Sequence, residues 1–350
     1  MVGAFLWLSY RHKLATSEIA GVTSEMSGLT TYLIGALVYR GHFWIATTLV
    51  VISMLLLELK DALEGVTKRV PPEEVLTFTK FLLLTAVILP ILPRQDLGPF
   101  HINPFKTWVI VVAVSGVSYG SYVLQTVTKG RGGVILAAAL GGAYSSTVTT
   151  VVLSKRASQK EHAHLFSGAI LIASGVMYLR LAALVGLFNR PLLARLAPAF
   201  LALAALAILG GWLWSHRPDP SSEAIHREFT PRNPLELRAA FLFALLFLAI
   251  LVVTQFVLLH FGRGGVYTLA AIMGLTDVDP FILGLTQSAG RATPQPLAAT
   301  GILIAAASNN LVKGIYAYVF ADRQTGRQSA SLLWGLAACG LFPLLWWLAF

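Results

Sequence analysis

Charge is scarce in this chain. Asp, Glu, Lys and Arg make up 12% of its 350 residues, where soluble domains carry roughly 25%. Acids are scarcer still, 16 against 26 bases. A chain this poor in charge cannot dress the surface of an ordinary soluble domain. Cysteine is almost missing. The single thiol, Cys339, can make neither an intrachain disulfide nor a thiolate metal cluster. The basic excess is not a nucleic-acid footprint: no basic block is interleaved with aromatics, and the charges fall between apolar runs, where membrane topology places them. The histidines form no ligand pattern; His101, His162, His164, His216 and His226 all sit in polar loops. HExxH and a P-loop are missing, so neither an enzyme nor a cofactor is expected. The run at 1–10 has no basic n-region and no clear cleavage site, so no cleavable signal peptide is expected.

Apolar sequence is what the chain has in plenty: 56% of residues are hydrophobic and the mean hydropathy is +0.72. The runs at 26–38, 43–59, 75–92, 108–126, 165–188, 192–214, 237–261, 296–320 and 331–350 read as membrane helices, several of them near the roughly 20 residues a span needs. Polar linkers at 60–74, with Pro71 and Pro72, and at 215–238 punctuate them.

Two further runs are twins. Residues 130–153 read GRGGVILAAALGGAYSSTVTTVVL, and 262–285 read GRGGVYTLAAIMGLTDVDPFILGL. Both open GRGGV, pass through Ala-rich sequence to glycine, and turn polar in mid-segment. The likeness extends outward. Asn103-Pro104 and Asn233-Pro234 precede the helices that feed the twins, and SGAILIASGVMYLR at 167–180 aligns with TGILIAAASNNLVK at 300–313, which sets Arg180 opposite Lys313. Repeats of about 104–214 and 234–350 follow. The expected class is all-α: a polytopic transmembrane helical bundle with an internal repeat and two broken or re-entrant helices. Charge counting bears on the choice between breaking and re-entering. With every segment spanning, Lys and Arg divide 12 against 11 between the two sides; with both twins re-entrant they divide 16 against 7. The second division obeys the positive-inside rule and inverts one repeat relative to the other. Glycines at 141, 142 and 274 are the expected points of non-helical backbone.

GLTDVDPFILGL, ASNNLVKG at 307–314, GGAYSSTVTTVVLSKRA and GVTSEMSGLTTYLIGAL at 21–37 occur together in this chain. In that set it resembles the bacterial MgtC/SapB-like membrane proteins, most closely the branch with a long C-terminal domain of unknown function. The likeness runs from about Glu18 to Arg327. It implies an MgtC/SapB-like N-terminal membrane segment at 1–74, a duplicated transmembrane domain at 75–350, residence in the bacterial inner membrane and a part in ion homeostasis, with Mg²⁺ or a similar ion as cargo. The chain departs from the family pattern at its start, where an acidic-and-arginine motif and an RTF-like stretch are missing, so the N-terminal segment reads as incomplete. It departs again at Pro280, where alanine is expected.

Ionisable groups at membrane depth are costly and commonly mark a functional site. Asp277 and Asp279, with Thr276, offer hard oxygens suited to a cation or a proton, or else cap a half-helix starting near Pro280. Ser145, Ser146 and Thr147 are their uncharged counterparts in the first twin. Arg180 and Lys313 read as counter-charges: Lys313 for Asp277 or Asp279, Arg180 for an acid elsewhere such as Glu25, and both suit an anion as well. Asn309 and Asn310 share the face of Lys313 and serve either a ligand or a neighbouring helix. If there is a metal site, Asp277 and Asp279 are its ligands. The functional expectation is a transporter or binder of a small ion or small molecule in a lipid bilayer. The alternative is a non-transporting regulator that binds another membrane complex. A homo-oligomer fits either reading; nucleic acid fits neither.

Overall fold

The computed structural model describes residues 23–67, 85–96, 103–128, 133–158, 162–218 and 237–349, with isolated positions at 3, 7, 8, 10, 11, 79 and 82. The described residues are helical, with no strand beyond an isolated bridge between Ala289 and Thr293. The chain divides into two compact units, 1–71 and 72–350. In the first, α1 (Thr23–Tyr39) and α2 (Phe43–Thr67) form a hairpin. Gly41 makes its turn at φ 80°, a left-handed conformation open to glycine.

The second unit holds α3 (Pro104–Thr128), α4 (Gly133–Ala157), α5 (Ala163–Phe188), α6 (Arg190–Ser215), α7 (Leu237–Met273), α8 (Val278–Ser288), α9 (Gln295–Phe320) and α10 (Arg323–Ala349). Six helices among the described residues are long and apolar enough to cross a membrane, so this is a multi-pass membrane protein in contact with lipid. At 1.5 Å per residue, the 26 residues of α5 run roughly 39 Å, enough to cross a hydrocarbon core of about 30 Å. Small residues let α5 and α6 touch backbone to backbone: a Cβ on Gly211 would lie 2.6 Å from the Gly168 carbonyl oxygen.

Two of the helical runs double back. In α4, Ser145 is extended at φ −158°, ψ 106°. A Cβ on Gly141 would lie 2.5 Å from Oγ1 of Thr149. Eight residues span roughly 12 Å in a continuous helix, so the arms 133–144 and 146–157 must fold against each other as a hairpin. In α7, Gly262 turns the chain at φ 62°. A Cβ on Gly265 would meet the Val257 side chain at 2.8 Å, so the chain has reversed there as well. The arm 263–273 then gives way to α8. One position on α9, Gly301, faces both: its Cβ would lie 2.9 Å from Leu285 and 3.9 Å from Val266. The second hairpin is therefore 263–273 and α8 side by side. Each arm holds 11 or 12 residues and runs roughly 16–18 Å, about half a bilayer. The structure thus breaks the first twin at Ser145, not at the expected Gly141-Gly142. Both glycines are helical, and Gly142 serves close approach instead: a Cβ there would lie 2.5 Å from the Ala173 carbonyl oxygen.

The two hairpins enter from opposite ends. Ser167, near the start of α5, lies within 3.4 Å of Thr325 and Gln328, just beyond the end of α9. Asn189, at the end of α5, donates to the Thr286 and Ala289 carbonyls, each at 3.1 Å, just before the start of α9. Helices α5 and α9 are therefore antiparallel, and the internal repeat is inverted. Lys155, on the second arm of α4, sits over the Phe320 ring at 5.1 Å, so the first hairpin opens at the end where α9 finishes. The second opens at the other end, where Gln255 donates to Thr293 at 3.1 Å. Cysteine labelling tests this directly. In a Cys339→Ser background, Lys129→Cys and Ser158→Cys should react from one membrane face and Arg291→Cys from the other. Labelling of positions 129 and 158 from opposite faces would reject the hairpin.

Candidate functional site

The hairpin tips break at equivalent positions of the two repeats, and the residue at each break caps the arm that follows. Asp277 is extended, at φ −91°, ψ 109°, and its carboxylate accepts from the Asp279 N–H at 3.3 Å. Ser145 is extended too, and its hydroxyl accepts from the Val148 N–H at 3.4 Å. The first turn of a helix leaves N–H groups without intrahelical partners, which is why Ser and Asp suit this place. The cap is the one expected for Asp277, but α8 starts at Val278. Pro280 therefore sits at its third position, where its missing N–H still costs no helical bond.

Asp279, two residues past the cap, turns into the protein and is buried. Its partner is Arg180 of α5, through one guanidinium nitrogen. The other terminal nitrogen, NH1, donates to the Ala143 and Tyr144 carbonyls, at 3.2 and 2.8 Å. Those are the last carbonyls before the break in the first hairpin, left over at the negative end of that arm. Arg180 thus joins the tip of one hairpin to the tip of the other. The expected pairing of Lys313 with Asp277 or Asp279 is corrected here. The planar guanidinium sets its two terminal nitrogens apart, so one lies on the carbonyls while the other meets the carboxylate; an ammonium offers its three donors from a single point.

Lys313 is fully buried. Its ammonium has a thioether sulfur, Met177 Sδ, at 3.0 Å and one amide oxygen, Asn310 Oδ1, at 3.3 Å. It lies within electrostatic reach of both Arg180 and Asp279. Asn310 in turn donates to the Tyr178 hydroxyl at 2.8 Å. Asn309 donates to the Gly274 carbonyl at 3.2 Å, and Ser308 to the Ala271 carbonyl at 2.6 Å. Asn309 therefore ties the end of the arm 263–273 much as Arg180 ties the end of 133–144. Both glue and site readings of the asparagines begin from this contact.

Several buried polar atoms at the tips have no hydrogen-bond partner among the described residues: Arg180 Nε, Asn309 Oδ1, Thr149 Oγ1 and Ser174 Oγ. Asp277 itself is exposed. Thr276 is exposed beside it and donates to the Met273 carbonyl at 3.2 Å. Ser146 is buried, and its carbonyl accepts from Thr150 at 2.8 Å. No hydrogen bond joins Thr147 to the cluster among the described residues. The Glu25 side chain lies outside the described residues. No group of three or more His, Cys, Asp or Glu able to hold a metal ion occurs among the described residues. Sequence reasoning passed over Met177, Tyr178 and the carbonyls of 143 and 144. Met177 had one signal, since it aligns with Asn310; Tyr178 was lost in an apolar helix.

Residues 112–321, which include both hairpins, Arg180 and Lys313, match the model of a family described as Domain of unknown function (DUF4010). The chain belongs to this family. The DUF4010 match leaves out 21–37, one of the stretches that carry the MgtC/SapB resemblance. Among curated proteins, the chain is similar to an uncharacterized protein of Aquifex aeolicus (strain VF5). The identity is 29% over 198 residues, which cover 56% of this chain and 86% of the relative. No solved structure matches. The family description carries no activity, so the function of this DUF4010 chain rests on the chemistry at the hairpin tips.

Proposed function

We propose that this chain carries a small ion across the bacterial inner membrane, with the substrate held between the two hairpin tips. One observation supports this reading above the others: the Arg180–Asp279 pair joins the broken tips of inverted repeats deep inside the protein. Inverted repeats with discontinuous helices and a shared central site suit alternating access, because each hairpin can open toward its own face while the other stays closed. Helix breaks at membrane depth are tolerated where they are buried in protein or line a cavity. The re-entrant arrangement also carries the 16-to-7 division of Lys and Arg, which favours the richer side, with the 215–238 loop, as cytoplasmic. The MgtC/SapB resemblance at 21–37 adds Mg²⁺ to the substrates worth assaying.

The test is flux. Protein reconstituted in proteoliposomes should move at least one ion from a panel of Mg²⁺, Na⁺, phosphate, sulfate and acetate. The double variant Asp277→Asn, Asp279→Asn should lose that flux while remaining monodisperse in detergent. Absence of flux for the whole panel, or undiminished flux in the double variant, rejects the reading.

A further inference from the structure

We infer that the substrate site takes a small oxyanion, which binds Arg180 in the place Asp279 now holds. The inference rests on the transport reading and supplies its sign of charge.

A cation site at these tips would use the leftover carbonyls at the end of the first arm and the nearby carboxylates as ligands. Arg180 already has both. Its NH1 lies on the Ala143 and Tyr144 carbonyls, and its other terminal nitrogen is paired with Asp279. The guanidinium is a tethered cation in the position a free one would need. A metal ion would have to evict it and would then find one further acid close by, Asp277, with no third His, Cys, Asp or Glu to complete a set among the described residues.

Donors, by contrast, are in surplus. The Arg180 side chain is 8% exposed, yet its Nε–H has no acceptor among the described residues. Lys313 is fully buried with three N–H donors, and its acceptors are a weak thioether and one amide oxygen. The arms that start at Ser146 and Val278 present the positive ends of their dipoles at the same two breaks. A planar or tetrahedral oxyanion matches the guanidinium fork in two bonds, as a carboxylate does. Asp279 is then a tethered substitute for the substrate, and Arg180 changes partner when the substrate arrives. Asn309 Oδ1 and Thr149 Oγ1, both buried and unpartnered, remain for any hydroxyl the oxyanion carries.

The exchange makes a prediction that a structural ion pair does not. Asp279→Asn removes the competitor, so it should tighten binding of inorganic phosphate, sulfate or acetate by about tenfold or more, read by isothermal titration of the purified full chain. Phosphate should raise the Tm of Asp279→Asn further than that of the parent chain. Arg180→Gln and Lys313→Met should each weaken the same binding by about tenfold or more. Should either fail to fold, Arg180→Lys keeps the charge without the fork, and the direction of the Asp279→Asn effect still decides. No oxyanion binding in any variant overturns the inference. So does weaker oxyanion binding in Asp279→Asn, or stabilisation by Mg²⁺ or Na⁺ alone. Oxyanion binding without flux would sustain this site and reject transport; cation flux would sustain transport and reject this site.

Discussion

Arg180→Gln is expected to abolish flux and to destabilise the protein by about 3–5 kcal/mol, the range for breaking a buried ion pair by removing one partner. The cost comes from what stays behind. Asp279 would remain buried with its charge uncompensated, and the Ala143 and Tyr144 carbonyls would lose their donor at the end of a half-helix. Adding Asp279→Asn should recover much of the stability, because the stranded charge is gone. It should recover no flux, because the guanidinium is what the mechanism needs. The surface pair gives the comparison. Arg291 and Asp96 meet at 3.0 Å with side chains 47% and 32% exposed, against 8% and 10% for Arg180 and Asp279. Exposed pairs contribute about 0–1 kcal/mol, so Arg291→Gln should shift thermal unfolding little. Equal shifts for Arg180→Gln and Arg291→Gln would refute the central role assigned to Arg180.

Gly142→Val is expected to have the next largest effect. A Cβ at Gly142 would lie 2.5 Å from the Ala173 carbonyl oxygen and 2.7 Å from the Ala173 Cα. Both are backbone atoms of α5, so no rotamer change can relieve the contact. The hairpin would have to move away from the helix that carries Arg180, and the guanidinium would lose its reach to the tip. Overpacking of this kind costs roughly 1–3 kcal/mol, occasionally more. Here the damage should appear as lost substrate binding as well as lowered Tm. Gly116 and Gly120 in α3 are the controls. Nothing lies within 4 Å of a Cβ at either, so alanine there should be neutral or slightly stabilising. A Gly142→Val protein with parental Tm and binding would show that the close approach is not needed.

Much of the fold was legible because membrane helices announce themselves by long apolar runs, and because duplication copies those runs. The twin segments and the alignment of Arg180 with Lys313 came from comparing one half of the chain with the other, and the preference for re-entrant hairpins from counting Lys and Arg between the segments. The location of the first break was not legible. Two glycines looked like the weak point, but glycine serves two ends, turning and close approach, and sequence does not say which. At 141 and 142 the helix continues and the missing side chains admit Thr149 and Ala173; Ser145, able to cap, takes the break. Similar limits applied to the ion pair. Sequence could list two acids and two bases, yet the pairing depended on which helices cross at what height. Nothing in the sequence singled out Tyr178 and Met177; they join the cluster because α9 runs beside them.

Composition and repetition alone determined that this chain is an all-helical, multi-pass membrane protein with two polar interruptions. Low charge and long apolar runs leave no other solvent for its surface, and a duplicated sequence must build a duplicated unit. Tertiary structure alone decided that the interruptions meet, and that one arginine holds them together. An inverted arrangement brings residues 99 positions apart to the same depth, and only there does it become settled which charge neutralises which. Arg180 was placed where its fork could satisfy the end of one half-helix and a carboxylate of the other; Lys313, its counterpart by sequence, faced a thioether and an amide instead. Two positions equal in the sequence became unequal in space, since the repeats differ in what they set opposite each other.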